Sequence, residues 1–275
     1  MSTRIAFIGG GNMATSLVGG LLAAGTTPAS ILVAEPDTDR RSFLSRQFGI
    51  ATTASNLETL QQDVVVLSVK PQMMQAVCRQ LAASENAGAP LYVSIAAGIR
   101  TNDIARWLGG TADIVRCMPN TPALIRCGAT ALYANESVSE AQRQLADTIL
   151  GAAGITVWVD KEDLLDAVTA VSGSGPAYYF LLMEAMQNAA VSLGLDPETA
   201  GKLIIQTALG AARMANESEV GVAELRARVT SRGGTTAAAI TSFEDNGFQI
   251  NVNKAIHAAY NLSLIHISEP TRPKR

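Results

Sequence analysis

The sequence predicts an α/β fold in which a Rossmann-type dinucleotide-binding domain is followed by an all-α domain. Short, nearly continuous apolar runs recur up to Val159, as expected for strands of a parallel sheet that is covered on both faces. A glycine turn follows the first of these runs, and after about Asp160 long helical periods replace the strands. We therefore predict domains at residues 1–160 and 161–262, with residues 263–275 as a separate tail.

The first apolar run leads directly into a glycine turn. Gly9, Gly11 and Ala14 match a G-x-G-x-x-A fingerprint. In this fingerprint the first glycine permits a tight turn, the second lets a pyrophosphate approach the backbone, and the third small residue lets helix and strand lie close together. An apolar helical stripe follows, so the turn opens a helix whose free N–H groups attract phosphate. The predicted cofactor contacts here are Gly9, Gly11, Asn12 and Met13. The alternative is a glycine turn that binds nothing.

Composition limits the classes of function. The 21 lysines and arginines against 24 aspartates and glutamates give a net charge of −3. This balance argues against a nucleic-acid-binding protein, because such a protein needs a basic face. No apolar run is long enough to span a membrane, and no charged leader precedes the first strand, so we expect a cytoplasmic protein. Only 16% of the residues are charged, which predicts that helix surface is buried against another subunit.

Cysteine and histidine chemistry is limited as well. Cys78, Cys117 and Cys127 show no C-x-x-C spacing, which predicts reduced cysteines. His257 and His266 are the only histidines and both lie near the end of the chain. Over most of the chain this excludes a histidine-based metal site or a Ser-His-Asp triad. We expect no metal ion.

The second predicted strand, residues 31–34, ends at Glu35. An acidic residue roughly 20 positions past the glycine turn is where NAD enzymes hold the ribose 2′-hydroxyl. Arg40 and Arg41 follow closely, and an arginine there favours the 2′-phosphate of NADP. The residues thus support opposite cofactors, and we favour NADPH, with NADH as the alternative. All three would also fit a solvated helix start.

Later strands also end in candidate cofactor contacts, since ligands bind at the carboxyl ends of parallel strands. Apolar runs at 63–69, 91–95 and 114–118 are followed by such residues. The predicted contacts are Val69, Lys70, Pro71, Ala96, Ala97, Gly98, Pro119 and Asn120. The loop that contains Pro119 and Asn120 also fits an ordinary turn. Thr101 is predicted to cap the helix through Trp107.

The helical second half begins with a break before Pro176. Two further strands, 129–133 and 155–159, and a helix capped by Ser139 precede it. Helices run to about Leu193 and, after Asp196, to about Ala215, with small residues that allow close helix packing. We therefore predict an all-α dimerisation domain. The alternative is a monomeric helical cap over the first domain.

A second glycine turn lies in this half. Two glycines among hydroxyl residues open a helix, which makes a nest for an anion. Such a nest suits a small carboxylate held by backbone N–H groups and hydroxyls. The predicted substrate contacts are Val229, Thr230, Ser231, Gly233, Gly234, Thr235 and Thr236. The alternative is an extended helix N-cap.

The end of the sequence differs from the rest. A final helix is predicted over residues 251–261. Residues 263–275 lose helical periodicity and gain two prolines, and they look like translated cloning or sequencing adapter. We interpret this segment as non-native and assign it no function, including His266.

Several motifs together resemble the pyrroline-5-carboxylate reductase family, from Arg4 to about Asn261. They are FIGGGNMA at 7–14, VKP at 69–71, SIAAG at 94–98, MPNTP at 118–122, VSGSGPAY at 171–178 and VTSRGGTT at 229–236. Arg232 stands where many members of the family have proline, although a basic residue there also occurs. The segment after Asn261 departs from the family completely.

The resemblance implies NAD(P)H-dependent reduction of the C=N bond of 1-pyrroline-5-carboxylate to L-proline, the last step of proline biosynthesis. It implies that the 229–236 stretch holds the substrate carboxylate, and that Thr236 is the catalytic residue, placed near the imine nitrogen as a hydrogen-bond or proton donor. It also implies homodimers with interlocked helical domains, in which that stretch reaches the partner's cofactor, and assembly of the dimers into a larger ring.

Other functions fit parts of the sequence. A β-hydroxyacid dehydrogenase-like enzyme would rely on a lysine in the central helix, and residues 177–193 contain none. A non-catalytic redox sensor that binds NAD(P) would need no carboxylate nest. A foreign tail that truncates the last helix would weaken dimerisation and activity.

Overall fold

An eight-stranded sheet forms the centre of the first part of the chain in the computed structural model, which describes residues 3–84 and 88–268. The spatial order of its strands is β3-β2-β1-β4-β5-β6-β7-β8. In sequence the strands are β1 Ile5–Ile8, β2 Ile31–Ala34, β3 Ala51–Thr53, β4 Val64–Leu67, β5 Leu91–Ser94, β6 Ile114–Met118, β7 Gly128–Ala134 and β8 Gly154–Trp158.

The sheet is parallel from β3 to β6, as predicted. In register, Ile5 of β1 lies between Ile31 of β2 and Val64 of β4. The chain therefore reverses its direction of winding at β1, which makes the β1–β4 boundary the switch point of the sheet. A feature that the sequence did not predict is the reversal of β7, which is antiparallel to β6 and parallel to β8.

Helices cover both faces of this sheet. They are α1 Asn12–Ala23, α2 Thr38–Phe48, α3 Pro71–Ala82, α4 Thr101–Trp107, α5 Glu140–Gly151 and α6 Leu164–Val168, followed by a π-helical turn at Thr169–Gly173. Side chains of a strand point alternately to the two faces. Accordingly Phe7 belongs to one buried cluster and Ile8 to the other. Both faces are apolar, which is why the strands read as unbroken apolar runs.

Two predictions about helix caps have different outcomes. Ser139 caps α5 in a reciprocal capping box with Gln142, as predicted. The prediction for Thr101 is wrong, because Arg100 occupies the N-cap position of α4 and Thr101 is the first helical residue. The Thr101 hydroxyl instead donates a hydrogen bond to Glu162, which lies 61 residues further along the chain.

The chain divides into two compact units. One contains the residues up to Ser174 together with those from Ala259 onward, and the other runs from Gly175 to Ala258. Helices after the π-helical turn are α7 Gly175–Ser192, α8 Pro197–Glu217, α9 Val222–Arg228, α10 Thr235–Asp245 and α11 Phe248–Ser268. Between residues 160 and 268 the structure contains no strand, as predicted. None of the described helices is long and apolar enough to cross a membrane.

The last helix is longer than predicted. We expected it to end at about Asn261, but α11 continues to Ser268. The Ser263 hydroxyl donates a hydrogen bond of 2.7 Å to Asp166 Oδ1, and both residues are buried. The start of the predicted tail is thus helical and makes a contact within the first unit. Residues 269–275 lie outside the described part of the chain.

Two adjacent glycines of α1 differ in how closely the rest of the protein packs against them. A Cβ atom on Gly20 would lie 2.3 Å from the carbonyl oxygen of Ala152, whereas one on Gly19 would meet the Phe48 ring at an ordinary 3.4 Å. We predict that Gly20→Ala lowers the free energy of unfolding by about 1–3 kcal/mol through overpacking. Gly19→Ala is the matched control and should raise it by up to about 1 kcal/mol, the gain in helix propensity. Urea unfolding followed by circular dichroism measures both, and equal midpoints would contradict the prediction.

Candidate cofactor and substrate site

The candidate cofactor residues of the first unit lie along one edge of the sheet. Gly9 follows β1, Glu35 follows β2, Val69 follows shortly after β4, and Ala96 and Pro119 follow β5 and β6. These five strands are parallel, so their carboxyl ends are at the same edge. The structure thus brings the predicted residues together at the place where open α/β sheets bind ligands.

Hydrogen bonds hold the first two glycines of the turn in place. The Gly9 N–H donates to the Ala34 carbonyl at 2.8 Å, and the Ser68 hydroxyl donates to the Gly9 carbonyl at 2.7 Å. The Gly10 N–H donates to Glu35 Oε2 at 2.8 Å, while Arg40 Nε donates to the Gly10 carbonyl at 2.6 Å. Each N–H and each carbonyl of these two residues therefore has a partner.

The next N–H groups of the turn have no partner among the described residues. They belong to Gly11, Asn12 and Met13, at the start of α1. A Cβ atom on Gly11 would meet nothing within 4 Å, so the space in front of this residue is open. Unpaired N–H groups at a helix start, together with the helix dipole, bind phosphate. These residues fit the pyrophosphate of a dinucleotide.

Gly9 needs to be glycine for two local reasons, whereas a side chain at Gly10 would require the Leu44 side chain to shift. Gly9 has φ +98°, a left-handed conformation that disfavours any side chain. A Cβ atom there would also lie 2.8 Å from the Ser68 carbonyl oxygen, which is too close. A Cβ on Gly10 would lie 2.7 Å from a methyl carbon of Leu44. The fingerprint identified Gly9, but Gly10 and Ser68 were missed because their roles depend on neighbours far away in the sequence.

A pocket of about 500 Å³ lies beside the turn, at the end of β2. Its lining carries three carboxylates, Glu35, Asp37 and Asp39, and one cation, Arg40. The Arg40 guanidinium lies 4.9 Å from the centre of the Phe43 ring, and its Nη2 donates to the Thr15 hydroxyl at 2.5 Å. These contacts hold Arg40 at the pocket wall, where the 2′-hydroxyl or 2′-phosphate of a ribose would be recognised.

Arg41 differs from its neighbour. Its Nη1 donates to the carbonyl oxygens of Glu35 and Pro36, both at 2.7 Å, and its Nη2 donates to the Thr38 hydroxyl. Arg41 is not among the residues that line the pocket. Of the two predicted arginines, therefore, only Arg40 faces the pocket.

The loop after β4 carries three predicted contacts. Val69 is half-buried, with Cγ1 at 3.2 Å from a Cβ built on Gly9, so it lies directly behind the glycine turn. Lys70 is exposed at the N-cap of α3, and Pro71 is the first residue of that helix. Proline is tolerated there because its missing N–H would have no helical partner.

The middle of the loop after β5 consists of small residues, Ala96, Ala97 and Gly98. Ala96 is buried, Ala97 is exposed, and Gly98 has φ +74°, a left-handed conformation that glycine adopts without strain. At its far end Thr101 is bonded to Glu162, which forms a buried ion pair with Arg116. The sequence did not reveal this ion pair, because its partners are separated by 46 residues.

In the loop after β6, the predicted contact Asn120 uses its side chain within the protein. Its Oδ1 accepts from the Ala129 N–H at 2.9 Å, and its Nδ2 donates to the Ser172 hydroxyl at 3.2 Å. The preceding Pro119 is buried. Asn120 thus fixes the loop to the start of β7 and to the π-helical turn, and it can offer a ligand mainly its backbone.

The predicted substrate residues lie together in the second unit, between α9 and α10. Gly233 has φ +72°, and Gly234 is the N-cap of α10, with its own N–H bonded to the Ser231 carbonyl at 3.0 Å. The N–H groups of Gly233, Thr235 and Thr236 have no partner among the described residues. Thr236 is exposed in the first turn of this helix. The nest is therefore open and fits a carboxylate.

The remaining predicted substrate residues flank this nest. Val229 is 61% exposed just after α9, and the Thr230 hydroxyl donates to the Arg226 carbonyl at 2.6 Å. Ser231 and Arg232 are both exposed. Arg232 is thus a cation next to the nest, where it would favour an anion.

Metal and thiol chemistry find no support in the described residues. No group of histidine, cysteine and carboxylate side chains there could hold a metal ion. Burial raises the pKa of the Cys78 thiol to about 12 and raises the pKa of the buried Cys117 thiol as well. Both thiols therefore stay protonated at neutral pH and are poor nucleophiles. Cys127 is exposed and is not part of either glycine turn.

Comparisons with known proteins agree with this arrangement. Residues 4–98 match the family described as NADP oxidoreductase, coenzyme F420-dependent, and residues 162–264 match the family described as pyrroline-5-carboxylate reductase dimerisation. The pyrroline-5-carboxylate reductase of Pseudomonas aeruginosa is 56% identical over 261 residues, which cover 94% of this chain and 95% of the relative.

Two solved structures are also similar. The pyrroline-5-carboxylate reductase of Coxiella burnetii has a TM-score of 0.92 at 46% identity, covering 96% of this chain and 98% of that chain. The pyrroline carboxylate reductase of Plasmodium falciparum, solved with NADP bound, has a TM-score of 0.83 at 28% identity, with coverage of 96% and 98%.

Fold, glycine turn and relatives together define an NAD(P)-dependent oxidoreductase with a helical dimerisation domain. More narrowly, the chain belongs to the pyrroline-5-carboxylate reductase family, whose members reduce 1-pyrroline-5-carboxylate to proline. The family predicted from the motifs is thereby confirmed, as are the fold class and the type of enzyme.

Gly9 and Gly11 differ in what limits their substitution. We predict that Gly11→Ala leaves unfolding unchanged, because its methyl meets no protein atom within 4 Å. The same methyl would occupy the space of the pyrophosphate and should weaken dinucleotide binding at least about tenfold. Gly9→Ala should instead lower thermal stability. Titration of NADPH fluorescence and thermal unfolding measure the two effects, and wild-type binding by Gly11→Ala would exclude this turn as the cofactor site.

Proposed function

We propose that this chain transfers a hydride from NADPH to the C=N bond of 1-pyrroline-5-carboxylate and so forms L-proline. The observation that supports this proposal best is the presence of two open sets of backbone N–H groups. One begins at Gly11 in the first unit and fits a pyrophosphate, and the other surrounds Gly234 in the second unit and fits a small carboxylate.

The chemistry requires one hydrogen-bond or proton donor to the imine nitrogen and no general base. The carbon of the C=N bond becomes strongly electrophilic when the nitrogen of the neutral imine accepts a hydrogen bond and then a proton, and the reduced nicotinamide, when bound, would supply the hydride. The chain must therefore hold the imine carbon close to the hydride donor, and such positioning is worth on the order of 7–11 kcal/mol when the geometry is near attack. A site without a histidine base is compatible with this reaction.

We assign the residues of the second glycine turn to the substrate. The free N–H groups of Gly233 and Thr235 would receive the carboxylate, with Ser231 and Thr230 beside them. Thr236 is the proposed catalytic residue, because its exposed hydroxyl can donate a hydrogen bond to the imine nitrogen from the first turn of α10. Neither role requires a charged side chain.

We further propose a homodimer in which this turn meets the cofactor of the partner subunit, and a larger ring built from such dimers. The apolar side chains on the helices of the second unit support an interface with another copy. Among them Tyr179, Phe180 and Leu181 of α7 are 67%, 65% and 66% exposed in the single chain. Burial of such side chains is the main source of stability in obligate interfaces.

NADPH is the proposed reductant, with NADH as the second cofactor, and the cytoplasm is the proposed location. Arg40 at the pocket wall supports binding of a 2′-phosphate, and the Plasmodium relative was solved with NADP. Glu35 and its neighbouring carboxylates disfavour that phosphate and would accept a 2′-hydroxyl, so we expect NADH to be used as well.

The domain limits remain predictions at residues 1–160 and 161–262, with residues 263–275 interpreted as non-native. Asp166 adds an observation relevant to the tail. Its Oδ1 is bonded to Ser263, but its buried Oδ2 has no partner among the described residues. Ser263 is thus a residue of the segment 263–275 that is bonded to the first unit, through Asp166.

The catalytic assignment can be tested with two threonine variants. Thr236→Ala should lower kcat for reduction of 1-pyrroline-5-carboxylate by at least about a hundredfold, because a positioned proton donor contributes that much. Thr236→Ser keeps the hydroxyl and should recover most of the activity. Thr148→Ala is the control, since the Thr148 hydroxyl is bonded only to the Gln144 carbonyl on α5. The rate of NADPH oxidation at 340 nm measures the activity of each variant. Full activity in Thr236→Ala would reject the assignment.

Cofactor choice can be tested with the two arginines. Arg40→Gln should lower the ratio of kcat/KM for NADPH over NADH about tenfold, because a hydrogen bond to a charged group contributes about 1.5–3 kcal/mol. Glu35→Gln should shift the ratio in the opposite direction. Arg41→Gln is the control and should leave it unchanged, since Arg41 is bonded to the backbone carbonyls of Glu35 and Pro36 and does not itself line the pocket. If all three variants keep the wild-type ratio of kcat/KM for NADPH over NADH, the 2′-group of the ribose is bound elsewhere.

A further inference from the structure

A buried carboxylate joins three segments of the first unit. Glu162 Oε1 accepts from the Arg116 guanidinium at 3.0 Å, and only 4% of the Arg116 side chain and 12% of the Glu162 side chain are exposed. The same Oε1 accepts from the Thr101 N–H at 2.8 Å, and Oε2 accepts from the Thr101 hydroxyl at 2.9 Å. Glu162 therefore binds both donors of the first residue of α4.

These contacts close the base of the loop between β5 and α4. The loop starts after Ser94, which is the register partner of Arg116 in the sheet. It ends at Thr101, which is bonded to the carboxylate that pairs with Arg116. The start and the end of the loop are thus both tied to one ion pair. A second ion pair repeats the link at the surface, with Arg100 Nη2 at 2.7 Å from Asp163 Oδ1.

We propose that Glu162 is a positioning residue that fixes the loop 95–100 and thereby sets where Ala96, Ala97 and Gly98 meet the bound cofactor. The identity of the ligand rests on the proposed function. A buried ion pair often stabilises a fold no more than apolar side chains of the same volume would. The buried Ile99 anchors the end of the loop by apolar packing. The directional bonds of the ion pair fix the preceding residues Ala96, Ala97 and Gly98, whose side chains are too small or absent to do so.

Thr101 allows a test that leaves no charge unpaired. Thr101→Val keeps the N–H bond to Glu162 but removes the hydroxyl bond, and Thr101→Ser restores the hydroxyl. We expect Thr101→Val to weaken NADPH binding about fivefold. The variant loses a hydrogen bond to a charged group, and part of that loss should reach the neighbouring contact between the loop and NADPH. Amide hydrogen exchange of residues 96–100 should become faster in the same variant. Thr101→Ser should return both the Kd and the exchange rates to wild type.

A double variant separates positioning from stability. Arg116→Met combined with Glu162→Met removes both charges together, so no buried charge is left unpaired, although the two Thr101 donors lose their acceptor. We therefore expect its melting temperature to lie above that of Glu162→Met alone. The loop loses its anchor nonetheless, and we expect NADPH binding to weaken about tenfold, from the loss of two hydrogen bonds. Asp163→Asn is the control, because it weakens only the exposed pair, in which 73% of the Asp163 side chain is exposed.

The outcomes distinguish this inference from the proposed function. Wild-type Kd and wild-type exchange of residues 96–100 in Thr101→Val would overturn the positioning role, whether or not the double variant folds. Faster exchange of the loop in a protein that binds no NADPH would support the positioning role and reject the proposed function. Weaker binding without any change in loop exchange would also overturn the inference.

Discussion

The close approach of β1 to β4 is the constraint on which the site depends. At the end of β1 the backbone turns at Gly9, and the Ser68 carbonyl lies where a side chain would begin. Because the chain reverses its winding at β1, the loops after β1 and β4 diverge to opposite faces, and a crevice opens between them. The helix that starts after the turn begins with free N–H groups at the same edge of the sheet.

Polar side chains then stabilise this turn from several strands. Ser68 at the end of β4 holds one peptide, while Glu35 and Arg40 after β2 hold the next. Glu35 and Arg40 thus have a double role, since each fixes the turn and also lines the pocket in which a ribose would lie. For this reason a substitution of either residue that alters the pocket also alters the glycine turn.

Local patterns explain which parts of the structure the sequence could predict. Continuous apolar runs predicted the strands, because both faces of the sheet are buried, and glycine spacing predicted the turn between β1 and α1. The antiparallel β7 was not predictable, since a strand buried on both faces has the same pattern in either direction. Contacts over long separations were missed for a different reason. Thr101 resembled a helix cap, yet its hydroxyl is bonded to Glu162, and no local signal in the sequence marks such a partner.

The order in which the two units occur along the chain has a consequence for synthesis. The helical unit from Gly175 to Ala258 is inserted between two parts of the first unit, and the later part begins at Ala259, before the segment 263–275. Domains generally fold as units while the ribosome is still working. Here the nucleotide-binding unit cannot be completed until the whole helical insertion has left the ribosomal tunnel. Its folding during translation is therefore tied to that of the helical unit.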